Sequence, residues 1–148
     1  MSVVDAYLKR IRYAGPLKPT TNLLRNLHRA HLLAVPFENL DISFGRKIVC
    51  DEDAFLRKIV ERHRGGFCYE MNGAFAALLR SLSFQVTLLS ARGPREDGTL
   101  SPEFDHLTLR VIWKSRGWRM LDSAIAFSSH CALQRASSNC RAGANIAL

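Results

Sequence analysis

The sequence contains no uninterrupted apolar stretch of about 18 residues, so none of its segments is predicted to span a membrane. Its first residues, MSVVDAYLKRIRY, mix apolar and charged side chains and lack the apolar core of a secretory signal. Four cysteines are present, and no two of them have the short spacing of zinc ligands. We therefore expect a cytoplasmic protein with no metal site.

Acidic residues are scarce relative to basic ones. The 21 lysines and arginines exceed the 13 aspartates and glutamates and give a formal net charge of +8. This charge favours an anionic partner, such as nucleic acid, an anionic membrane or a phosphate-bearing cofactor. A hydrophobic content of 47% in 148 residues excludes a chain that is disordered throughout.

The first half of the sequence carries apolar residues at helical spacing. This spacing predicts helices over residues 3–11, from about Thr21 to before Pro36, after a cap at Asp51 or Asp53, and from about Cys68 to Leu82. The second helix should bury Leu27 and either His31 or Leu32. The segment VPFENLDI, residues 35–42, contains a proline and predicts an ordered loop. Three aromatic residues are expected in the core: Tyr7, Phe37 and Phe67.

Beyond Ser83 the apolar positions alternate, which is typical of strands. Strands are predicted over residues 85–90, 106–113 and 118–122, the last two forming a hairpin. Helices followed by strands favour an α+β fold over an alternating α/β fold. We predict a helical domain over residues 1–83, a partial β domain over residues 84–122, and an irregular, poorly ordered tail over residues 123–148.

The segment RGGFCYEMN, residues 64–72, is the strongest candidate for chemistry. Gly65 and Gly66 allow a tight turn, and Cys68 follows in the first turn of a predicted helix. Unpaired N–H groups and the helix dipole stabilise a thiolate at such a position. Cys68 is therefore the candidate nucleophile, whereas the other three cysteines are expected to be structural.

A thiolate nucleophile needs a base, and the base needs an orienting partner. His106 opens the first strand of the predicted hairpin, and Asp122 ends the second. Because strand side chains alternate between faces, the two residues can meet only across an odd-length loop or a bulge. Pairing Trp113 with Gly117 satisfies this condition and sets Asp122 diagonal to His106.

Four segments together resemble the arylamine N-acetyltransferases: VPFENLDI at 35–42, RGGFCYEMN at 64–72, DHLTLRV at 105–111 and LD at 121–122. Members of that family carry RGGxCxExN around a nucleophilic cysteine, with PFENL upstream. They also have a histidine at the start of a strand and an aspartate at the end of the next. The resemblance covers residues 1 to about 122 and implies the N-terminal half of such an enzyme, truncated or divergent after Asp122.

The resemblance implies a helical bundle followed by an incomplete antiparallel β-barrel or sheet, with a cysteine-proteinase-like core. It also implies acetyl transfer from acetyl-CoA, a co-substrate rather than a tightly bound cofactor, to an arylamine or hydrazine. Cys68 would be acetylated, His106 would be the base and Asp122 its orienting partner. Glu38 and Arg64 match a buried pair that supports the site.

Two other functions remain open at this point. A Cys-His-Asp arrangement also serves thiol hydrolases and transglutaminase-like enzymes, although the PFENL segment argues against them. The positive charge would suit a non-catalytic module that binds nucleic acid, but the sequence has no recognition-helix or RNA-binding motif. The acetyltransferase interpretation implies neither a nucleic-acid partner nor a membrane partner.

Overall fold

The computed structural model describes residues 2–112 in full and only the backbone of residues 118–121 and 132–135. The helices of this described part are α1 (Val3–Arg10), α2 (Thr21–Ala34), α3 (Leu40–Ser43), α4 (Glu52–Leu56) and α5 (Cys68–Ser81). A π-helix, Arg57–Glu61, continues α4. The strands are β1 (Gln85–Arg92), β2 (His106–Ile112), β3 (Trp118–Leu121) and β4 (Ala132–Arg135). Within these described ranges, no helix is long and apolar enough to cross a membrane.

Three helices begin at side chains that cap them. Thr20 and Asp51 accept backbone N–H groups of α2 and α4 at 3.1 Å and 3.0 Å. At the start of α1, Ser2 and Asp5 form a reciprocal capping box. These caps satisfy N–H groups that the first turn of a helix leaves unpaired, and they confirm the predicted starts near Thr21 and Asp51.

Helix α5 is the centre of the fold. Every residue from Cys68 to Leu79 is buried, so the helix is enclosed on all sides rather than along one stripe. Helices α1 and α4, the π-helix, and strands β1 and β2 all contact it. The polar residues Glu70 and Asn72 are therefore as buried as the apolar residues around them.

The strands form one antiparallel sheet in the order β3-β2-β1-β4. Leu107, Leu109 and Val111 of β2 are at most 1% exposed and belong to the same core as the helices. The predicted alternation of β2 is confirmed on this face. His106 and Thr108, on the opposite face, are also buried. The described chain is thus an α+β structure whose sheet packs on α5.

The pairing of β2 with β3 follows the register that the sequence analysis required. Ile112 lies opposite Trp118, and Leu109 lies opposite Leu121. An odd number of residues separates Ile112 from Trp118, as predicted. The register is described as far as Leu121, and Asp122 lies outside the described residues.

The structure corrects two predictions on the segment 35–42. Its last residues form the start of α3 rather than a loop, because the Glu38 carboxylate accepts the N–H of Leu40 at 2.9 Å and supports the helical turn. Phe37, which was expected in the core, is 48% exposed. Its backbone is held at the surface by a bridge to Gly66.

The sequence pattern did not predict strand β4. Arg92 of β1 pairs with Ala132 in this strand, which lies in the segment expected to be irregular. The edge of β1 offers backbone groups that a very short strand can pair with, even where no alternation is visible in its sequence. The rest of the segment 123–148 lies outside the described residues.

His31 is completely buried in the helical core, whereas Leu32 is 44% exposed. The Nδ1 atom of His31 hydrogen-bonds with the Tyr7 hydroxyl at 3.0 Å, and its ring stacks on Phe75. Its Nε2 atom has no hydrogen-bond partner among the residues that the structure describes. Burial, with smaller contributions from the positive charges nearby, lowers the pKa of His31 to about 3.

We expect acidification to destabilise the fold through His31. The unfolded chain takes up a proton at this imidazole near pH 6.5, whereas the folded chain does so only near pH 3. Stability should therefore fall as the pH drops below 6.5, by about 2 kcal/mol between pH 7 and pH 5. His31→Gln keeps an acceptor for Tyr7 but does not titrate. Denaturant unfolding at both pH values should show the smaller loss in this variant, and equal losses would contradict the assignment.

Candidate active site

Cys68 occupies the first position of α5, as the sequence predicted. The preceding residue, Phe67, is the N-cap, and its side chain cannot accept the unpaired N–H groups of the first turn. Cys68 is a free thiol and is 7% exposed. The thiol therefore lies at a helix N-terminus, where the N–H groups and the helix dipole favour a negative charge.

The glycines before Cys68 bring the RGGFCYEMN segment against the VPFENLDI segment. The N–H of Gly66 donates to the Pro36 carbonyl at 3.3 Å, and the Gly66 carbonyl accepts the N–H of Glu38 at 3.0 Å. A Cβ at Gly65 would overlap the Pro36 carbonyl oxygen. Because only glycine allows this approach, the two segments form one structural unit.

Two side chains of α5 hold the backbone on either side of His106. The Tyr69 hydroxyl donates to the Phe104 carbonyl at 2.5 Å, and Asn72 Nδ2 donates to the Leu107 carbonyl at 2.7 Å. These hydrogen bonds fix the first turns of α5, which carry the thiol, against the start of β2. His106 is the first residue of that strand and is 6% exposed.

The chain just before β2 is held in an unusual conformation. Phe104 has a left-handed backbone with φ 63°, which is rare for an aromatic residue. Ser90 Oγ accepts its N–H at 2.8 Å, while Tyr69 binds its carbonyl. Burial, with smaller contributions from negative charge at Cys68 and Asp105, raises the pKa of Tyr69 to about 12. Tyr69 therefore keeps its hydroxyl proton near neutral pH and can donate it to the Phe104 carbonyl.

A buried charge network lies beside the first turn of α5. Lys58, on the π-helix, contacts Glu70 at 2.7 Å and Asp41 at 2.8 Å. It also lies 3.3 Å from Glu38. Arg64 contacts Glu38 at 2.7 Å and Asp41 at 3.0 Å. The Glu38–Arg64 pair that the resemblance implied is present within this larger network, although the Arg64 side chain is 30% exposed rather than buried.

Asp41 and Lys58 remain charged near neutral pH. Burial raises the pKa of Asp41, but hydrogen bonds from Lys58 and Arg64 outweigh this effect and lower the pKa to about 2. Burial lowers the pKa of Lys58, but hydrogen bonds to Asp41 and Glu70 outweigh it and leave the pKa above its ordinary value. Lys58 is therefore a stable cation next to the helix that carries the thiol.

The structure describes two of the three predicted catalytic residues, Cys68 and His106. Cys68 and His106 begin α5 and β2; Asn72 of α5 is hydrogen-bonded to Leu107 of β2, and Tyr69 to Phe104 just before that strand. Asp122 lies outside the described residues. In the described part of the chain, no group of three or more His, Cys, Asp or Glu side chains could hold a metal ion.

Sequence reasoning assigned no role to several residues of this site: Asp41, Lys58, Tyr69, Glu70 and Asn72. Glu70 and Asn72 do leave a signal, because they are polar residues in an apolar helix and buried polar groups need partners. Lys58 leaves none. The π-helix that turns it inward cannot be recognised from hydrophobic spacing.

Comparison with known proteins identifies the family. The sequence model of the N-acetyltransferases matches residues 20–138. The chain belongs to this family. Among its curated relatives, the arylamine N-acetyltransferase / N-hydroxyarylamine O-acetyltransferase of Salmonella typhimurium is 38% identical over 117 residues. The arylamine N-acetyltransferase of Escherichia coli is 34% identical over 116 residues. These alignments cover 79% and 78% of this chain but 42% and 41% of the relatives, so the chain spans about two fifths of their length.

Solved structures of N-acetyltransferases share the fold. The arylamine N-acetyltransferase of Salmonella typhimurium aligns with a TM-score of 0.79 and 34% identity, over 93% of this chain and 50% of that one. The arylamine N-acetyltransferase of Mycobacterium marinum, solved in complex with CoA, aligns with a TM-score of 0.76 and 34% identity, over 82% of this chain and 46% of that one. The α+β architecture is therefore common to this chain and these enzymes over the aligned part.

Proposed function

We propose that this chain carries out acetyl transfer, moving an acetyl group from acetyl-CoA through a thioester on Cys68 to an arylamine or hydrazine. Cys68 is the nucleophile, His106 is the base, and Asp122 orients the imidazole. One observation carries the proposal: the first turns of α5, with their free thiol, are hydrogen-bonded to the start of β2.

The choice of substrates is supported by the relatives. They are named arylamine N-acetyltransferases, and one structural neighbour was solved with CoA. The net charge of +8 also favours the phosphates of CoA. We propose that acetyl-CoA acts as a co-substrate rather than a tightly bound cofactor. We further propose a cytoplasmic location, and a sheet that belongs to an antiparallel barrel on a cysteine-proteinase-like core.

In the first half-reaction, the Cys68 thiolate attacks the carbonyl carbon of acetyl-CoA. The bond between that carbon and the CoA sulfur breaks, and the leaving thiolate takes a proton from the His106 imidazolium. CoA departs as a thiol, and acetyl-cysteine remains. Since one thioester replaces another, the exchange has little free-energy cost, and the helix N-terminus favours the attacking anion.

In the second half-reaction, the neutral amine attacks the carbonyl carbon of acetyl-Cys68. The carbon–sulfur bond breaks, the thiolate is restored, and His106 takes the proton that the amine nitrogen releases. Proton removal by a positioned imidazole contributes about 10² to 10⁴ in rate. The enzyme thus returns to its starting thiolate and imidazolium.

The role of Asp122 is supported by the register of β2 and β3. Leu121 lies opposite Leu109, and Asp122 is the next residue in the sequence. Continuing this register by one position would set residue 122 opposite Thr108, on the face of β2 that also carries His106. A carboxylate there can hold the imidazole in the tautomer that serves the thiol.

An acetyl-transfer assay on the full 148-residue chain tests the proposal. Acetyl-CoA is added first without an acceptor, and an aniline-type or hydrazine acceptor follows. We expect CoA release about equal to the amount of protein before the acceptor is added, and sustained release with acetylated acceptor afterwards. If no CoA is released in either stage, the proposed function is wrong.

A further inference from the structure

Glu70 places a buried carboxylate in the same helical turn as Cys68. It is the third residue of α5 and is 5% exposed. Its Oε2 accepts the N–H of Phe67 at 3.2 Å, which is the half of a capping box that the third residue of a helix supplies. Gly66 leaves room for this carboxylate, since a Cβ there would lie 2.8 Å from Oε2.

This cap conflicts with the charge that acetyl transfer needs on Cys68. The N-terminus of a helix favours one negative charge, but a carboxylate and a thiolate in the same turn repel each other. Burial makes this repulsion stronger than it would be in water. Without a compensating cation, the Glu70 carboxylate would suppress the thiolate.

Lys58 supplies a cation at the required place. Its Nζ lies 2.9 Å from Oε1 and 2.7 Å from Oε2 of Glu70, so it contacts both oxygens of the carboxylate. The Lys58 side chain is 9% exposed, which limits screening of the pair by water. Among the residues that the structure describes, Lys58 is the one cation in contact with Glu70, whereas Glu38 and Asp41 also contact Arg64.

The π-helix accounts for the position of Lys58. Lys58, Ile59 and Val60 are three consecutive buried residues. An α-helix turns by about 100° per residue, and the wider π-helical turn rotates successive side chains by less, so three consecutive residues span a narrower arc. The wider π-helical turn lets the cation face α5 while Ile59 and Val60 stay in the apolar core, and such turns are frequent at functional sites.

We propose that Lys58 is a positioning residue of the acetyl-transfer site: its positive charge neutralises the Glu70 carboxylate, so that the first turn of α5 can hold the Cys68 thiolate. The inference rests on the proposed function, because it concerns the nucleophile of that reaction. It implies that Lys58 is needed only while residue 70 carries a negative charge.

A double-mutant cycle on the full chain tests this dependence. Lys58→Met and Glu70→Gln each remove one charge and keep a similar side-chain volume. Alkylation of Cys68 by iodoacetamide, followed by peptide mass mapping, measures the thiolate at each pH. Lys58→Met should slow alkylation about tenfold at pH 7 and raise the pH of half-maximal rate by about one unit. Glu70→Gln should lower that pH, and the double variant should react within about threefold of the unchanged chain.

Other titratable or charged groups lie around the first turn of α5 and the Lys58–Glu70 pair: Glu38, Asp41, Arg64, Tyr69, Asp105 and His106. Lys58 also contacts Glu38 and Asp41, so its removal alters these two groups in the single and the double variant alike, and this shared effect cancels in the coupling between positions 58 and 70. Arg80→Met is a matched control, because it removes a cation from α5 at a surface pair with Glu52. It should leave the alkylation profile unchanged.

A double variant that alkylates as slowly as Lys58→Met would overturn the proposal, since it would mean that Lys58 only supports packing. An unchanged profile in Lys58→Met would also overturn it. If Lys58→Met does not fold, judged by circular dichroism, Glu70→Gln decides: a lower pH of half-maximal rate supports the proposal, and an equal or higher one overturns it.

Alkylation of Cys68 needs no acetyl-CoA, so it can be measured in a chain that is inactive in acetyl transfer. A chain that shows the expected alkylation pattern but transfers no acetyl group would therefore contradict the proposed function and support only the effect of Lys58 on the Cys68 thiolate.

Discussion

Replacing Cys68 by serine should lower kcat/KM for acetyl transfer by about 10³-fold or more. A serine hydroxyl is almost un-ionised at neutral pH, whereas a thiol is partly ionised and the helix N-terminus favours its anion. Serine occupies nearly the same volume at this position, so the fold should persist. Steady-state assays with acetyl-CoA and an aniline-type acceptor measure the effect, and circular dichroism checks the fold.

The matched control for this substitution is Met71→Leu. Met71 lies in the same first turns of α5, is 1% exposed and tolerates a replacement of similar volume. This variant should keep kcat/KM within about threefold of the original value. A Cys68→Ser chain as active as the Met71→Leu chain would show that the thiol is not the nucleophile.

Replacing Gly65 by alanine should lower the free energy of unfolding by about 3 kcal/mol and greatly reduce acetyl transfer. The added Cβ would meet the Pro36 carbonyl oxygen and approach Glu38 Cγ at 3.0 Å. Backbone cannot move aside as a flexible side chain can, so the hydrogen bonds between Gly66 and the VPFENLDI segment should be lost. Denaturant unfolding measures the change in stability.

Gly98→Asn provides the comparison for Gly65→Ala. A Cβ added at Gly98 would have no neighbouring atom within 4 Å, and the φ of 79° at this residue lies in the left-handed region that asparagine tolerates. We expect the substitution to change the free energy of unfolding by less than about 1 kcal/mol. Equal stabilities of the two variants would show that the two segments do not depend on close contact at Gly65.

Much of the fold could be predicted from local patterns. The caps at Thr20 and Asp51 and the alternation in β2 are readable because each depends on residues close together in the sequence. The register of β2 and β3 could be predicted because only one parity lets the two proposed catalytic residues share a face. The short strand β4 could not be predicted, because it pairs with a distant segment, β1, and its own sequence shows no apolar alternation.

The candidate site likewise has some features that could be predicted from the local sequence and others that could not. The position of Cys68 at a helix start could be predicted from the glycines before it. The contacts of Tyr69 with Phe104 and of Lys58 with Glu70 could not, because they depend on how α5 packs against β2 and against the π-helix. Hydrophobic spacing reports which face of an element is buried, but it does not report which polar partner the buried face will meet.

The position of the acetyl group after reaction with acetyl-CoA tests most directly whether α5 presents Cys68 as the nucleophile. The full chain is incubated with acetyl-CoA without an acceptor, quenched in acid, digested and mapped by mass spectrometry. We predict a single acetyl group on the peptide that contains Cys68, and its loss when an arylamine is added before the quench. An acetyl group on a different residue, or one that persists in the presence of the arylamine, would contradict this role of Cys68.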